Sequence, residues 1–182
     1  MREVYLAENL GFCYGVKRAI QLAEDSVTPQ SRSYTLGPII HNPQMVARLA
    51  EEGIGKIETL DEIAEGTGIV RSHGVGPHVY EQIEAKGLNL VDATCPHVRK
   101  AQNAARQLSD DGCQVVIVGD KNHPEVRSIL EWAGEGAVAV DTEEEAAGLP
   151  MYGRLGIVSQ TTFSGARFKT IVSVLLDKSS DV

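Results

Sequence analysis

The heptapeptide CYGVKRA at residues 13–19 is matched by CPHVRKA at residues 95–101, and both read Cys-x-x-Val-basic-basic-Ala. A histidine follows each cysteine at the same spacing, His41 in the first copy and His123 in the second. Farther along, GIVRSH at 68–73 matches GIVSQT at 156–161, which places His73 opposite Thr161. Repetition at a spacing of about 82 residues predicts two copies of one structural unit.

Short segments rich in β-branched residues alternate with segments of helical periodicity along the whole chain. The predicted strands are residues 3–7, 33–36, 68–72, 88–92, 114–119, 137–141 and 155–159. The predicted helices are residues 15–25, 43–52, 76–86, 96–110, 124–132 and 163–177. This alternation favours parallel sheets of βαβ units. We therefore expect an α/β fold with two pseudo-symmetric parallel-sheet lobes, residues 1–94 and 95–182.

Composition narrows the class of protein. The 182 residues carry a formal net charge of −8, which argues against sequence-independent nucleic-acid binding because phosphate neutralisation needs clustered Lys and Arg. No window approaches the roughly 18 uncharged apolar residues of a membrane span. The first nine residues, MREVYLAEN, lack the apolar stretch of a signal peptide. We expect a soluble cytoplasmic protein that binds neither nucleic acid nor membrane.

Three cysteines, an odd and sparse number, indicate reduced thiols rather than a disulfide framework. Cys13 and Cys95 each stand where a loop enters a predicted helix, a position that lowers the thiol pKa and favours the thiolate. They are predicted to form either a thiol pair or two ligands of a metal site, and are too few for a closed four-ligand centre. Cys113 has no counterpart in the first copy and is interpreted as structural.

Polar residues recur in register after the predicted strands. Ligands of parallel sheets bind outside the carboxyl ends of the strands, so His41, His73, His123 and Thr161 are expected to surround a common centre. With nearby helix N-termini, such donors suit a compact polyanion such as a diphosphate. Glu125 can shuttle a proton beside this anion, or it is an ordinary first-turn glutamate, and spacing alone leaves both readings open.

The remaining distinctive residues have simpler interpretations. His78 is predicted to be an exposed helix residue and His97 a first-turn residue, because neither has a counterpart in the other copy. Trp132 is interpreted as a packing residue.

Six ordered motifs resemble the LytB family of 4-hydroxy-3-methylbut-2-enyl diphosphate reductases. They are GFCYGVKRAI, LGPIIHNPQMV, VRSHGV, VDATCPHV, HPEV and SQTT. The resemblance implies three similar α/β lobes around a [4Fe-4S] cluster. It also implies reductive removal of a hydroxyl group from an allylic diphosphate, giving isopentenyl and dimethylallyl diphosphate in the non-mevalonate pathway of isoprenoid biosynthesis.

The resemblance also assigns roles to individual residues. Cys13 and Cys95 would ligate the cluster, and His41, His73 and His123 would bind the substrate diphosphate. Glu125 would relay protons, and Thr161 would contact the substrate hydroxyl. Reduced ferredoxin or flavodoxin is the implied electron donor.

One part of the family pattern is missing. The repeat spacing predicts a third cysteine near position 177, where the sequence reads LLDKSSDV, and no Ser-x-Asn motif follows Thr161. We therefore expect the third lobe, with its cluster cysteine, to be absent from this chain. Two alternatives remain: a non-catalytic diphosphate-binding or interaction module of the same fold, and a cysteine–histidine hydrolase, which leaves the second copy unexplained.

Overall fold

The computed structural model describes residues 3–6, 8, 10–29 and 31–181. The first lobe contains α1 (Tyr14–Asp25), β1 (Ser33–Leu36), α2 (Pro43–Glu51), β2 (Ile54–Ile57), a short 3-10 helix (Leu60–Glu62), β3 (Thr67–Val70), α3 (Pro77–Ala85) and β4 (Asn89–Asp92). The second lobe contains α4 (Pro96–Asp110), β5 (Gln114–Val118), α5 (Pro124–Ala133), β6 (Val138–Val140), α6 (Glu143–Ala147), β7 (Tyr152–Ser159), α7 (Gly165–Leu176) and β8 (Ser179–Asp181).

Each lobe is built on one four-stranded parallel sheet. The strand order is β2-β1-β3-β4 in the first lobe and β6-β5-β7-β8 in the second. In the first sheet Tyr34 lies opposite Gly55 and Gly68, and in the second Val116 lies opposite Val138 and Ile157. The two sheets have the same topology, which confirms the predicted α/β class with its repeated unit.

Several helices begin at residues suited to that position. Proline occupies the first turn of four helices, α2 to α5, where its missing N–H costs nothing. The Asn42 side chain accepts the N–H of Met45 at 2.9 Å at the start of α2, and the Thr142 hydroxyl accepts that of Glu145 at 3.1 Å at the start of α6. Within the described ranges, none of the helices combines the length and apolar content needed to cross a membrane.

The cores follow from the apolar character of the strands. Val115, Val116, Ile117 and Val118 in β5 are each at most 2 % exposed, because helices cover both faces of the parallel sheet. Each lobe has two apolar clusters, which include Ile39 and Val70 in the first lobe. The cores are therefore packed with aliphatic side chains, which take the place of the few aromatic ones.

The predicted strand at residues 3–7 is wrong for residues 3–6, which have no regular structure, while Ala7 lies outside the described residues. Val4, Tyr5 and Leu6 remain about four-fifths exposed, at 83, 85 and 79 %. A β-strand requires a neighbour to accept and donate its backbone hydrogen bonds, and no strand pairs with residues 3–6 in the described part of the chain. Their apolar composition alone does not produce a strand.

Four elements were not predicted: β2, the 3-10 helix at Leu60–Glu62, α6 and β8. In β2, both end residues are buried and the middle two are not, so no alternation marks the segment. The polar strand β8 pairs in parallel with β7, and the Ser179 and Ser180 hydroxyls also donate to β7 carbonyls. Helix α6 has five residues, shorter than the window over which periodicity is visible.

The loops at the carboxyl edges of the sheets are tied together by backbone hydrogen bonds. Gly37 donates to the Ile57 carbonyl at 2.7 Å, and Gly119 makes the equivalent bond to Val140 at 2.9 Å. The Ser72 hydroxyl donates to the Ile39 carbonyl at 2.9 Å, and the Cys95 N–H donates to the Ser72 carbonyl at 2.9 Å. These bonds connect the loops that precede His41, His73 and α4 to one another.

Side chains of α4 and α5 join the second lobe to the first. The Trp132 indole donates to the Val75 carbonyl at 2.8 Å. Arg99 forms an ion pair with Asp92, and its guanidinium lies 5.3 Å from the Tyr80 ring centre and 5.5 Å from that of Trp132. Trp132 is thus a packing residue at the contact between the lobes.

Candidate anion and cysteine site

Three histidine rings from both lobes meet at the carboxyl edges of the sheets. The ring centres of His41 and His73 are 4.5 Å apart, those of His41 and His123 are 5.8 Å apart, and those of His73 and His123 are 5.4 Å apart. His41 precedes α2, His73 follows β3, and His123 is the N-cap of α5. The fold therefore brings together three residues that lie up to 82 positions apart in the sequence, and we call them the histidine triad.

The capping role of His123 determines which of its nitrogens faces a ligand. Its Nδ1 accepts the backbone N–H of Glu125 at 3.2 Å. A neutral imidazole that accepts through Nδ1 carries its proton on Nε2. The free side of the ring therefore presents an N–H donor at the N-terminus of α5, where the helix dipole is positive.

His73 is the most perturbed member of the triad. Burial, together with the neighbouring His41, His123 and Arg71, lowers its pKa from 6.5 to about 3. Its Nδ1 is buried and has no hydrogen-bond partner among the described residues. At neutral pH this ring is uncharged and has an unused polar atom at the centre of the triad.

The triad has the composition of either a metal site or an anion site. One nitrogen from each ring lies within 4.8 Å of the other two, close enough for all three to contact one ion. A metal needs an unprotonated nitrogen from each ring, and His123 could offer Nε2 only by moving its proton to Nδ1, where it would oppose the Glu125 N–H. An anion accepts the proton already on Nε2. The hydrogen bonding therefore favours an anion.

A buried carboxylate lies beside the triad. Glu125 is only 2 % exposed, and its Oε1 accepts the backbone N–H of Thr161 at 2.6 Å while its Oε2 accepts the Thr161 hydroxyl at 3.0 Å. Thr161 follows β7 and Glu125 lies in the first turn of α5, so this pair joins two segments of the second lobe. The hydroxyl of Thr161 is therefore hydrogen-bonded to the Glu125 carboxylate, a group that can accept or donate a proton.

A buried hydrogen-bond cluster of Gln102, Ser128 and the His73 carbonyl connects the lobes behind the triad. The Ser128 hydroxyl lies 3.0 Å from the carbonyl oxygen of His73 and 2.8 Å from that of Glu125, and it accepts from the Gln102 amide at 3.1 Å. Gln102 and Ser128 are 0 and 3 % exposed. These bonds hold the backbone of His73 against the helix that carries Glu125.

Sequence reasoning missed this cluster and a related glutamine. Gln102 could have been found as the polar residue on the buried face of α4, between Val98 and Ala105. Gln160 accepts the Asp120 N–H at 3.2 Å and donates to the Thr162 hydroxyl at 3.1 Å, which links the loops after β5 and β7. Its position in the SQTT motif is the sequence feature from which Gln160 could have been identified.

Cys13 and Cys95 are the N-cap residues of α1 and α4, and neither side chain makes a capping hydrogen bond. The first turn of α1 lies against Cys95, because a methyl group placed on Gly15 would come within 2.5 Å of the Cys95 sulfur. Arg18, one turn farther along α1, donates to the Thr94 carbonyl at 3.2 Å. Both thiols are therefore free, at positive helix ends, and on adjoining segments.

Other candidate residues lie away from these groups. Cys113 precedes β5 and is therefore at the amino edge of its sheet, opposite the triad. His78 is exposed on α3 and contacts Glu131 at 3.2 Å, and His97 is exposed in the first turn of α4.

A model of the LytB protein family matches residues 4–182, nearly the whole chain. The chain belongs to the LytB family. Its motifs and its repeated lobes are therefore inherited features of that family rather than chance similarities.

Relatives in this family carry one enzyme name. The chain is 47 % identical over 180 residues to the 4-hydroxy-3-methylbut-2-enyl diphosphate reductase of Geobacter metallireducens, and 43 % identical over 185 residues to that of Caldanaerobacter subterraneus. Each alignment covers 99 % of this chain and 64 % of the relative. The chain thus spans less than two thirds of the length of these LytB relatives.

Solved structures agree with the fold. One structure of (E)-4-hydroxy-3-methyl-but-2-enyl diphosphate reductase, the terminal enzyme of the non-mevalonate pathway, superposes with a TM-score of 0.86 at 43 % identity, covering 100 % of this chain and 66 % of that chain. The E-1-hydroxy-2-methyl-but-2-enyl-4-diphosphate reductase of Plasmodium falciparum superposes with a TM-score of 0.85 at 29 % identity. This match covers 94 % of this chain and 56 % of that chain. The LytB architecture therefore extends over both lobes.

Proposed function

We propose that this chain supplies the substrate and proton-transfer groups of a 4-hydroxy-3-methylbut-2-enyl diphosphate reductase, which removes the hydroxyl group of an allylic diphosphate by reduction. The observation that carries the proposal is the histidine triad beside the buried Glu125–Thr161 pair. The relatives named as this reductase support it. We also propose that the lobes divide between residues 94 and 95.

The triad binds the diphosphate. Neutral rings donate N–H groups to an anion, and the first turn of α5 adds a positive dipole end. His73 stays neutral because burial, together with the neighbouring His41, His123 and Arg71, lowers its pKa to about 3. The site therefore attracts a polyanion although the whole chain has a net charge of −8.

Glu125 and Thr161 act on the hydroxyl group that leaves. The Thr161 hydroxyl is 3.0 Å from a carboxylate oxygen of Glu125, so a proton held by Glu125 can pass through Thr161 to the substrate oxygen. The second carboxylate oxygen is fixed by the Thr161 N–H at 2.6 Å, which keeps the pair aligned. Departure of the hydroxyl as water requires this proton.

Cys13 and Cys95 would hold a [4Fe-4S] cluster. Their thiols are free of capping bonds, lie at helix N-termini that favour thiolates, and adjoin one another through Gly15, so the residues present fit two ligands of such a group. When bound, the cluster would pass two electrons, one at a time, from the electron donor to the substrate and would offer a Lewis-acidic iron. Reduced ferredoxin or flavodoxin would deliver the electrons, in the cytoplasm.

The alternatives have less support. A non-catalytic diphosphate-binding or interaction module would use the triad but would have no use for a protected Glu125–Thr161 pair. A cysteine–histidine hydrolase requires the two side chains in contact, and no hydrogen bond joins a cysteine to a histidine within the described ranges.

The test combines two measurements on the full 182-residue chain. Pyrophosphate affinity is measured by calorimetry for the wild type and for His41→Asn, His73→Asn and His123→Asn, with exposed His97→Asn as the matched control. Iron and sulfide are determined after anaerobic purification or reconstitution. Pyrophosphate binding lost in the triad variants but kept in the control, together with about four irons per chain, supports the reductase. Pyrophosphate binding without any iron supports the binding module, and no binding overturns the diphosphate site.

A further inference from the structure

A cleft of about 310 Å³ lies between the lobes, and its lining includes residues that flank His73 and His123 but neither of these histidines. Its walls are the loops after β1 and β3 and the first turns of α3 and α5. Four charged side chains line it: Glu58, Arg71, Arg127 and Glu131. The proposed reductase reaction uses none of them.

Neither Arg71 nor Arg127 makes a side-chain hydrogen bond or an ion pair with any residue that the structure describes. Arg71 is half-buried, and its Nε is shielded from solvent without an acceptor. Its guanidinium packs against Gly37, where a methyl group would come within 2.7 Å of Nη1. Burial lowers the pKa of Arg71, and the attraction of Glu58 and Glu131 offsets only part of this lowering, to which the charge of Arg127 adds.

The two carboxylates are already engaged. Lys56 contacts Glu58 at 2.7 Å, and the His78 imidazole lies 3.2 Å from Glu131. Counting Lys56, three positive charges meet two negative ones around the cleft. The free hydrogen-bonding capacity in the cleft therefore belongs to the arginines.

The backbone of the cleft is also suited to an anion. The loop Gly74-Val75-Gly76 lines one wall, and Gly74 adopts a positive φ of 72° that brings the chain close to Gln102. The first turn of α3, a helix of nine residues, lines the same region and contributes its positive end.

We propose that this cleft binds a phosphate group through Arg71 and Arg127, at a site separate from the histidine triad. Guanidinium groups match phosphate oxygens in geometry and in charge. The volume accommodates inorganic phosphate or the phosphoryl end of a small metabolite. Because the cleft is formed by both lobes, its occupation would stabilise their contact.

The test is titration of the full chain with inorganic phosphate, followed by ³¹P NMR and calorimetry. We expect Arg127→Gln and Arg71→Gln each to weaken phosphate binding about ten-fold or more, as for loss of a charged hydrogen-bonding group. Arg106→Gln is the matched control, since Arg106 is exposed on α4 and lies 3.9 Å from Asp110. Its affinity should stay within about two-fold of the wild type.

A second series of titrations tests whether phosphate binds in the cleft or at the histidine triad. The same titrations are repeated in a His123→Asn background, in which asparagine preserves the N-cap of α5 and one triad donor is removed. Retention of the arginine effects in this background supports the cleft, whether or not pyrophosphate binds at the triad. A phosphate monoester that binds more tightly than inorganic phosphate identifies a metabolite as the ligand, and equal affinity identifies phosphate itself.

Three results would overturn the proposal. They are unchanged affinity in Arg127→Gln, equal weakening in Arg106→Gln, and loss of all phosphate binding in His123→Asn alone. Arg127 is exposed, so its substitution leaves the fold intact and keeps the test decisive even if Arg71→Gln unfolds.

Discussion

Thr161 donates both its backbone N–H and its hydroxyl to the two carboxylate oxygens of Glu125, at 2.6 and 3.0 Å. The two residues are 36 positions apart: Glu125 lies in the first turn of α5, and Thr161 lies in the loop after β7. Because both acceptors of a buried carboxylate are occupied, Glu125 is held in one orientation beside the histidine triad.

This arrangement makes Glu125→Gln informative. Glutamine keeps the size of the side chain but directs an NH₂ group at one Thr161 donor, so we expect a loss of about 1–3 kcal/mol in unfolding free energy. Pyrophosphate affinity should stay within about two-fold, while turnover in an assembly that supports it should fall at least about a hundred-fold. Equal losses of binding and turnover would contradict the proton-relay role.

Acid should destabilise the protein through His73. Its pKa is about 3 in the folded state and near 6.5 in the unfolded state, so between these values the unfolded chain binds the extra proton. Stability therefore falls as pH drops below 6.5, by about 2 kcal/mol at pH 5 from this residue. Urea unfolding at pH 5 and 7.5 should show a smaller pH effect in His73→Gln than in the wild type. An unchanged difference would refute the burial argument.

Gly15 is predicted to be required for the position of the Cys95 thiol. An alanine methyl at residue 15 would come within 2.5 Å of the sulfur, so Gly15→Ala should cost about 1–3 kcal/mol by overpacking and should alter the rate at which Cys95 reacts with a thiol reagent. Gly165→Ala is the control, since a methyl there meets no atom within 4 Å. Iron retention that is equal in both variants would count against the proposed ligand role of Cys95.

The cysteines should separate into two classes. Cys13→Ser and Cys95→Ser are each expected to abolish iron binding after anaerobic reconstitution, because each would remove one thiolate ligand. Cys113→Ser should retain iron, because Cys113 lies at the opposite edge of the sheet. Loss of iron in the Cys113 variant alone would disprove the ligand assignment.

Ser128 is predicted to link the contact between the lobes to the position of His73 in the triad. Ser128→Ala removes the contacts to the His73 and Glu125 carbonyls and leaves the buried Gln102 amide without its acceptor. We expect a loss of about 1–3 kcal/mol in unfolding free energy and weaker pyrophosphate binding. Trp132→Phe, which removes only the bond to Val75, is the comparison. If both variants weaken pyrophosphate binding equally, Ser128 has no specific role in positioning His73.

Sequence periodicity was reliable where the segments were long or fully buried. The helix predicted at residues 96–110 coincides with α4, and β5 follows from an uninterrupted run of Val and Ile. It failed where structure depends on a partner: β8 is polar and exists through pairing with β7, while apolar residues 3–6 have no strand beside them in the described chain.

The candidate residues themselves were accessible from the repeat. The equivalence of Cys13 with Cys95 and of His41 with His123 requires only equal spacing, and the carboxyl-edge rule of parallel sheets predicts that such residues converge. Spacing leaves the role of Glu125 open and predicts Thr161 only as one of the donors around the common centre. Periodicity along one segment carries no information about a hydrogen bond between a helix and a distant loop.

The class of fold, the duplicated unit and the residues expected at the carboxyl edges can be read from the sequence, because periodicity and repeat spacing are properties of the linear chain. The Glu125–Thr161 pair, the Gln102–Ser128 cluster behind His73 and the arginines of the cleft between the lobes are visible only in the folded protein. Each of these depends on distances between side chains from different elements, and on which buried groups find a partner there. The first relationship arises when elements of the second lobe pack together, and the other two arise when the lobes meet, so no single segment of the chain encodes them.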